Sequence, residues 1–305
     1  MSNSKLKLPE DLDDSVVRAL AEDVGSGDIT ARLVPEDAEA QAVVLAREPL
    51  VICGQAWFER VYEKIDKRVE IVWDFKEGAQ TRADQRVAVL RGPARSLLTG
   101  ERTALNFMQL LSGTATLTRK FVERVRGTGA KIVDTRKTVP GFRAAQKYAV
   151  TVGGGINHRF GLYDAILIKE NHIAAAGGIK TAIERARALN AGVPLMLEAE
   201  TLTEVQAGLD AKVDLVLLDD FPTHLLSKAV AMAREYRRFN KAHSLVEASG
   251  GVTLSNVRDI ADTGVDRISI GSLTKHVQAM DLSMRFVSDV NALSADEPNP
   301  RAALK

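Results

Sequence analysis

Six short apolar runs alternate with helical patterns between residues 130 and 272, and this rhythm limits the fold more than any other feature of the 305-residue chain. The runs are AKIVD (130–134), DAILIK (164–169), PLMLEAE (194–200), VDLVLLD (213–219), SLVEAS (244–249) and RISIGS (267–272). The stretches between them have the 3.6-residue periodicity of amphipathic helices. Because a parallel return between strands needs a long crossover, the pattern predicts βαβ units and a parallel sheet.

Two architectures contain such units: a dinucleotide-binding sheet and an α/β barrel. No run is followed by a GxGxxG turn, which favours the barrel. A complete eight-fold barrel typically needs about 250 residues. Six runs in this shorter region therefore predict an incomplete α/β barrel.

The region before residue 112 lacks this regular alternation of strands and helices. Leu12, Val16 and Leu20 predict an amphipathic helix. Strands are predicted over 40–48, 69–75 and 86–92, with a helix over 57–65, followed by a long helix from residue 100. This region is predicted to be an α+β unit. After residue 277 the pattern predicts a helix that frays over 292–305.

Composition excludes several classes of protein. Lys plus Arg is 41 and Asp plus Glu is 40, so the net charge of +1 argues against a general nucleic-acid binder. Cys53 is the single cysteine, which excludes an intrachain disulfide and a metal site built from cysteines. The polar N-terminal stretch and the lack of an 18-residue apolar run predict no secretion and no membrane span. We expect a cytoplasmic protein.

The apolar runs end in polar side chains, which a barrel would collect at one rim. The first two runs bring basic groups, the middle two bring carboxylates, and the last two end in glycine and serine. Basic clusters suit carboxylates and phosphates, carboxylates suit sugar hydroxyls or Mg²⁺, and glycine turns expose N–H groups to phosphate. We therefore expect one di- or tri-acid ligand and one phosphorylated ligand with Mg²⁺. The rim residues are Arg136, Lys137, His158, Arg159, Lys169, Glu198, Asp219, Glu247, Ser249, Gly250, Gly251, Ser269 and Gly271.

Plainer structural interpretations of the same residues stay open. Glu198 and Lys169 would form an ion pair across the barrel, and His158 would be a structural histidine. Gly250 with Gly251 would be a simple turn, and Arg102 would belong to a buried ion pair. Arg136 and Lys137 would be solvated surface charges.

The stretch DTRKTVPGFRAAQKYAVTVGGGINHRFGLYDAILIKENHI (134–173) resembles the signature of the quinolinate phosphoribosyltransferases. Shorter pieces match in order, including EDVGSGDIT (22–30), ERTALNF (101–107), EASGGV (247–252) and ISIGSLTKH (268–276). One departure is Lys275, which stands where the family often has histidine.

The resemblance implies a fold and an assembly. An open-faced α/β sandwich (1–112, joined by 277–305) would accompany an irregular, incomplete barrel (113–276). The chain would form a homodimer with a shared active site, to which the neighbouring subunit contributes Arg102.

The resemblance also implies a reaction and residue roles. Quinolinate and phosphoribosyl pyrophosphate would give nicotinate mononucleotide, pyrophosphate and CO₂, a step of NAD synthesis. Lys137, Lys169, Glu198 and Asp219 would be catalytic, and Glu198 and Asp219 would engage ribose and Mg²⁺, directly or through water. The quinolinate carboxylates would be held by Arg102, Arg136, His158, Arg159 and Lys169. The 5′-phosphate would be held by Ser249, Gly250, Gly251 and Gly271.

Three other functions remain open at this point. A related phosphoribosyltransferase would take another heteroaromatic acid or base, although five cationic groups favour a diacid. An aldolase or isomerase would use Lys169 as a Schiff-base residue. A non-catalytic sensor would bind a phosphorylated metabolite without releasing pyrophosphate.

Overall fold

The computed structural model describes residues 6–240 and 243–289, in which the chain forms ten α-helices and ten β-strands. The strands are β1 (Glu39–Ala46), β2 (Glu70–Trp73), β3 (Arg86–Pro93), β4 (Lys131–Val133), β5 (Ile166–Ile168), β6 (Leu195–Ala199), β7 (Leu215–Asp219), β8 (Leu245–Ser249), β9 (Arg267–Ser269) and β10 (Leu282–Val287). The helices are α1 (Leu12–Asp23), α2 (Gln55–Ile65), α3 (Ala94–Arg124), α4 (Arg143–Val152), α5 (Glu170–Ala176), α6 (Ile179–Ala188), α7 (Leu202–Asp210), α8 (Thr223–Asn240), α9 (Val257–Asp262) and α10 (Ser272–Lys275).

The chain divides into two compact units, which are described separately. The first contains residues 1–117, 140–154 and 276–305, and the second contains 118–139 and 155–275. The domain boundaries expected from the sequence, after residues 112 and 276, remain a prediction. Among the described helices, none combines the length and the apolar character that a membrane span requires.

The first unit is built on a four-stranded antiparallel sheet with the order β10-β1-β3-β2. Strand β1 alternates its side chains between two faces, so that Val44 joins the main core while Val43 joins a smaller apolar cluster. Trp57 and Phe58 of α2 are fully buried in that main core. Helices on one sheet face give the α/β sandwich expected from the sequence.

The prediction of a helix after residue 277 is wrong, because β10 occupies residues 282–287 and pairs antiparallel with β1. Leu282 and Met284 are buried in the core, whereas Arg285, the next residue of the strand, is exposed. This burial has the two-residue period of a strand. The predicted fraying over 292–305 lies outside the described residues.

Helix α4 also belongs to the first unit, although its sequence lies inside the region predicted to be the barrel. Its residues Ala145, Tyr148, Ala149 and Val152 join the same hydrophobic core as Trp57. The rings of Tyr148 and Trp57 lie with their centroids 5.3 Å apart. Residues 140–154 therefore belong to the first unit, although the segments on both sides of them in the sequence belong to the second.

The second unit contains a six-stranded sheet with the order β4-β9-β8-β7-β6-β5, in which all neighbouring strands are parallel. From β5 to β9 each strand lies beside its predecessor, as in a singly wound barrel and unlike a doubly wound sheet, where the order reverses. The described pairings leave β4 and β5 at opposite edges, so no closed barrel forms among the described residues. The prediction of an incomplete α/β barrel is confirmed.

The elements of this sheet follow from their local sequences. Strands β6 and β7 are buried along nearly their whole length, as expected of parallel strands covered on both faces. Helix α7 begins with a reciprocal cap, in which the Thr201 hydroxyl accepts from the Glu204 N–H and the Glu204 carboxylate accepts from the Thr201 N–H. Parallel strands with such short connections bring all their carboxyl ends to one edge.

Candidate active site

A cavity of about 220 Å³ lies at the carboxyl-terminal edge of the second unit's sheet. It is lined by side chains from β5–β9 and by loop residues that follow β4 and precede β5. The lining residues are Thr135, Arg136, Lys137, His158, Arg159, Leu167, Lys169, Glu198, Leu217, Asp219, Glu247, Ser249 and Ser269.

The cavity brings together eight of the twelve residues to which the sequence resemblance assigns a catalytic or binding role. They are Arg136, Lys137, His158, Arg159, Lys169, Glu198, Asp219 and Ser249. Gly250 and Gly251 follow Ser249 directly, and a Cβ on Gly271 would lie 3.2 Å from Lys137 Cδ. Arg102 lies on α3 in the first unit and is exposed, so it is not in the buried ion pair considered above. The functional roles of these residues remain predictions.

The basic half of the cavity contains two guanidinium groups that repel each other. Burial, and then the charge of Arg136, lowers the pKa of Arg159, against the opposing effects of Asp164 and Glu198. Arg136 Nε is buried and has no hydrogen-bond acceptor among the described residues. A partly desolvated pair of cations with an unused donor is stabilised by an anion, so this half is suited to a carboxylate or phosphate.

The loop before β5 is fixed by two carboxylates. Asp134, fully buried after β4, accepts from the backbone N–H of His158 at 2.8 Å and from Asn157 Nδ2 at 2.6 Å. Asp164 accepts from two backbone N–H groups of the same loop. Arg159 Nη1 donates to the Ala165 carbonyl oxygen at 3.1 Å. The basic side chains therefore stand on a rigid loop, which preserves their spacing for a ligand.

The opposite half of the cavity is acidic and contains one close ion pair. Lys169 Nζ lies 2.6 Å from Glu198 Oε2, so these two side chains form the ion pair that the sequence analysis considered. Burial raises the pKa of Glu198, as do the charges of Asp219 and Glu170, whereas Lys169 lowers it. Two carboxylates held in one cavity favour positive charge between them, and one of them already holds an ammonium group.

Replacing Lys169 by Gln is expected to raise the pKa of Glu198 further. The ammonium group supplies both the hydrogen bond and the charge that oppose the burial of Glu198. The carboxyl ¹³C shift of Glu198, followed by NMR through a pH titration, measures the change. The matched control is Lys180→Gln, which removes a lysine paired with exposed Glu184 on α6. An unchanged Glu198 titration in the Lys169 variant would show that the ion pair does not form in solution.

Close packing explains why glycine stands at two positions beside the cavity. Gly250 has a φ of 93°, and a Cβ there would overlap the Asp220 carboxylate. At Gly271 a Cβ would crowd the Lys137 side chain. These positions let backbone approach a neighbouring group closely, which is what a phosphate cradle requires. The interpretation of Gly250 as part of a simple turn is compatible with the same geometry.

The side chains fit Mg²⁺ only in part. The described residues contain no cluster of three or more His, Cys, Asp or Glu side chains placed to hold a metal. Glu198 and Asp219 both line the cavity, but one oxygen of Glu198 is held by Lys169. Mg²⁺ commonly binds one or two carboxylates together with waters and substrate phosphates. The cavity thus suits a magnesium ion that arrives with a phosphorylated substrate.

Three polar lining residues received no individual role in the sequence analysis: Thr135, Glu247 and Ser269. Thr135 precedes Arg136, and its hydroxyl accepts from the Lys137 N–H at 3.0 Å. Glu247 lies two positions before Ser249 on β8, so strand alternation places both on one face. That alternation was the signal available in the sequence.

Comparison with known families decides what kind of protein has this cavity. Residues 28–112 match the model of the quinolinate phosphoribosyl transferase N-terminal domain, and residues 114–285 match that of the C-terminal domain. The chain belongs to the quinolinate phosphoribosyltransferase family.

Other members of this phosphoribosyltransferase family align with most of the chain. It is 39% identical over 264 residues to a probable carboxylating nicotinate-nucleotide pyrophosphorylase of Bacillus subtilis, covering 86% of this chain and 89% of the relative. It is 40% identical over 275 residues to the carboxylating nicotinate-nucleotide pyrophosphorylase of Mycobacterium leprae, covering 89% and 95%. The solved nicotinate-nucleotide pyrophosphorylase from Francisella tularensis superposes with a TM-score of 0.87 at 42% identity, covering 94% of this chain and 100% of that one.

Proposed function

We propose that the chain transfers the phosphoribosyl group of phosphoribosyl pyrophosphate to quinolinate and releases CO₂. The products are nicotinate mononucleotide, pyrophosphate and CO₂, in a step of NAD synthesis. This makes the protein a pentosyltransferase. The relatives named above are called carboxylating nicotinate-nucleotide pyrophosphorylases, which names the same reaction in the reverse direction.

The observation that carries the proposal is the division of one cavity into a basic and an acidic half. Quinolinate has two carboxylates and suits Arg136, Arg159 and the groups around them. A ribose that develops positive charge suits Glu198 and Asp219 on the other side. The same cavity therefore complements both reactants at the point where they must meet.

Positioning starts the reaction. Arg136 donates to one carboxylate of quinolinate through the Nε that lacks an acceptor, and Arg159 and His158 hold the other. Ser249 and the glycines after it face the 5′-phosphate, and Lys137 beside Gly271 approaches the phosphorylated end of the second substrate. Fixing both substrates in this way converts a bimolecular step into one within a complex.

The transfer itself forms a bond between the pyridine nitrogen and C1 of ribose while the C1–oxygen bond to pyrophosphate breaks. Positive charge develops on the ribose, and Glu198 and Asp219 stabilise it electrostatically. Lys137 and Lys169 stabilise the negative charge on the departing pyrophosphate. Mg²⁺, when bound with phosphoribosyl pyrophosphate near Glu198 and Asp219, neutralises phosphate charge.

Decarboxylation follows from the charge that the transfer creates. The ring nitrogen is cationic after the bond forms, so the electron pair left on the adjacent carbon when CO₂ departs is stabilised. That carbon then takes up a proton from solvent, so that hydrogen replaces the departed carboxylate. Basic groups that bind the remaining carboxylate keep the ring in place while this happens.

We also propose a homodimer in which Arg102 enters the active site of the neighbouring subunit. The support is its place on α3 in the first unit, its exposed guanidinium and its position in the ERTALNF motif. An exposed arginine with this sequence context suits a ligand carboxylate across a subunit boundary.

Mixing an Arg102→Ala variant with a Lys169→Ala variant is expected to restore part of the activity. In a dimer of either variant alone, both active sites lack one of the two residues. In a mixed dimer, one site combines the intact Lys169 of one subunit with the intact Arg102 of the other. Steady-state rates before and after subunit exchange measure the recovery, and exchange is verified with tagged subunits. The matched control mixes Lys169→Ala with Glu198→Ala, two residues of the same cavity, and should recover nothing. No recovery in the first mixture after verified exchange would refute the shared site.

The proposed substrate is tested by comparing quinolinate with nicotinate under identical conditions. Nicotinate lacks the second carboxylate and would leave basic groups of the cavity without a partner, so quinolinate is expected to be the much better substrate. Turnover of nicotinate at an equal rate would favour the related phosphoribosyltransferase instead. The Schiff-base alternative is disfavoured because Lys169 is held in an ion pair, and an ammonium group is not nucleophilic.

A further inference from the structure

Glu247 is a buried carboxylic acid in the cavity that the proposed reaction leaves unused. Glu247 is fully buried from solvent, yet it is one of the residues that line the cavity. It lies on β8 in register with Leu217 of β7 and Arg267 of β9. A buried carboxylate costs several kcal/mol unless it is paired, so its presence calls for an explanation.

The groups that face Glu247 from the packed elements only partly compensate its charge. Ser269 and Arg267 on β9 favour the carboxylate, whereas Asp134 after β4 opposes it, and Leu217 on β7 is apolar. The Ser269 hydroxyl itself donates to the Ala248 carbonyl oxygen at 3.4 Å, and neither carboxylate oxygen of Glu247 has a hydrogen-bond partner among the described residues. Burial outweighs these effects and raises the pKa of Glu247 to about 7. Glu247 therefore changes charge near neutral pH.

The charge of Glu247 would influence a bound ligand through the imidazole ring of His158. His158 Nδ1 accepts from the Arg159 N–H at 2.8 Å, so a neutral imidazole carries its proton on Nε2. Nε2 lies 3.6 Å from Glu247 Oε1. This distance exceeds that of a hydrogen bond, so the contact is electrostatic. The imidazole is thus oriented by the backbone on one side and by a buried acid on the other.

We propose that Glu247 is a positioning residue that keeps His158 protonated on Nε2 and takes up a proton when an anionic ligand enters the cavity. A ligand carboxylate beside His158 adds negative charge near Glu247 and thereby favours the neutral acid. Anion binding and proton uptake are then linked, and the affinity falls as the pH rises. The identity of the anion as quinolinate rests on the proposed function, but the link itself does not.

Calorimetric titration of quinolinate into the whole protein tests the link. Measurements between pH 6 and 8.5, in buffers of different ionisation enthalpy, give the number of protons taken up. The wild type is expected to take up a fraction of a proton that peaks above pH 7, and its dissociation constant should rise by up to about tenfold per pH unit above that point. In Glu247→Gln this uptake should disappear and the pH dependence should flatten. Uptake in the variant equal to that of the wild type would overturn the proposal.

Arg267→Gln is the second variant, and it retains the acid. Because the positive charge of Arg267 favours the carboxylate form of Glu247, its removal should move the midpoint of the pH dependence upward. An unmoved midpoint in a folded Arg267→Gln protein contradicts the proposal even if Glu247→Gln fails to fold. The control is Arg258→Gln, which removes a positive charge of α9 that does not line the cavity and should leave the midpoint in place.

A ligand-free measurement separates this inference from the proposed function. Long-range ¹H–¹⁵N NMR spectra of the imidazole rings identify which nitrogen of His158 carries the proton. Protonation on Nε2 in the wild type, with a changed signal in Glu247→Gln, supports the positioning role, whereas an Nδ1 proton overturns it. Failure of the folded wild type to bind quinolinate at any pH would refute the proposed substrate and leave this result standing.

Discussion

Replacing Arg136 by Ala is expected to raise the KM for quinolinate by about 10- to 150-fold, which corresponds to about 1.5–3 kcal/mol. The physical reason is the buried Nε of Arg136, which has no acceptor among the described residues, beside the neighbouring cation Arg159. Quinolinate, with one carboxylate at Arg136 and the other at Arg159, supplies a charge-assisted hydrogen bond to this Nε and relieves the repulsion between the two cations. The KM for phosphoribosyl pyrophosphate should change far less, because that substrate meets other groups.

Arg258→Ala is the matched control for this variant. Arg258 belongs to the same unit and is paired with Asp262 on α9, but it does not line the cavity. It should leave both Michaelis constants unchanged, which separates a local contact from the loss of one positive charge. Equal increases for both substrates in Arg136→Ala would contradict the assignment of Arg136 to the carboxylate site.

Replacing Glu247 by Gln is expected to stabilise the protein by about 3 kcal/mol more at pH 8 than at pH 5. The folded-state pKa of Glu247, about 7, lies above the value of about 4.3 in an unfolded chain. The folded state then binds more protons than the unfolded state between these values, so the wild type loses stability as the pH rises toward 7 and through it. The amide cannot ionise and escapes this loss. Unfolding in urea at several pH values measures the difference.

Glu184→Gln is the control for the stability measurement. Glu184 lies on α6 with its side chain largely in water, so its replacement should have the same small effect at both pH values. A pH-independent difference between Glu247→Gln and the wild type would show that Glu247 titrates in the folded protein as it does in the unfolded chain. That result would also weaken the proposed link to anion binding.

The strands of the second unit were predictable because each is a short apolar run bounded by polar residues and turns. Their order follows from chain connectivity, and the convergence of Arg136, Lys169 and Asp219 follows from parallel geometry. In contrast, β10 was missed because its pairing with β1 is a contact between distant parts of the sequence. The same cause hid the placement of α4 in the first unit, where its apolar side chains meet Trp57.

The chemistry of the cavity was predictable to the level of residue type and no further. Alternation on β8 was enough to place Glu247 beside Ser249, but its raised pKa depends on burial by groups from several strands. The mutual repulsion of Arg136 and Arg159 likewise depends on how the loop before β5 folds back, which Asp134 and Asp164 determine. Electrostatic properties of this kind come from three-dimensional packing and leave little trace in a linear pattern.

The most direct test of the proposed reaction uses quinolinate labelled with ¹³C in the carboxyl group next to the ring nitrogen. The protein is incubated with this substrate, phosphoribosyl pyrophosphate and Mg²⁺, and the products are followed by NMR. We expect labelled CO₂, pyrophosphate and unlabelled nicotinate mononucleotide to form in equal amounts. Pyrophosphate without labelled CO₂, or no turnover by folded protein, would contradict the proposed function.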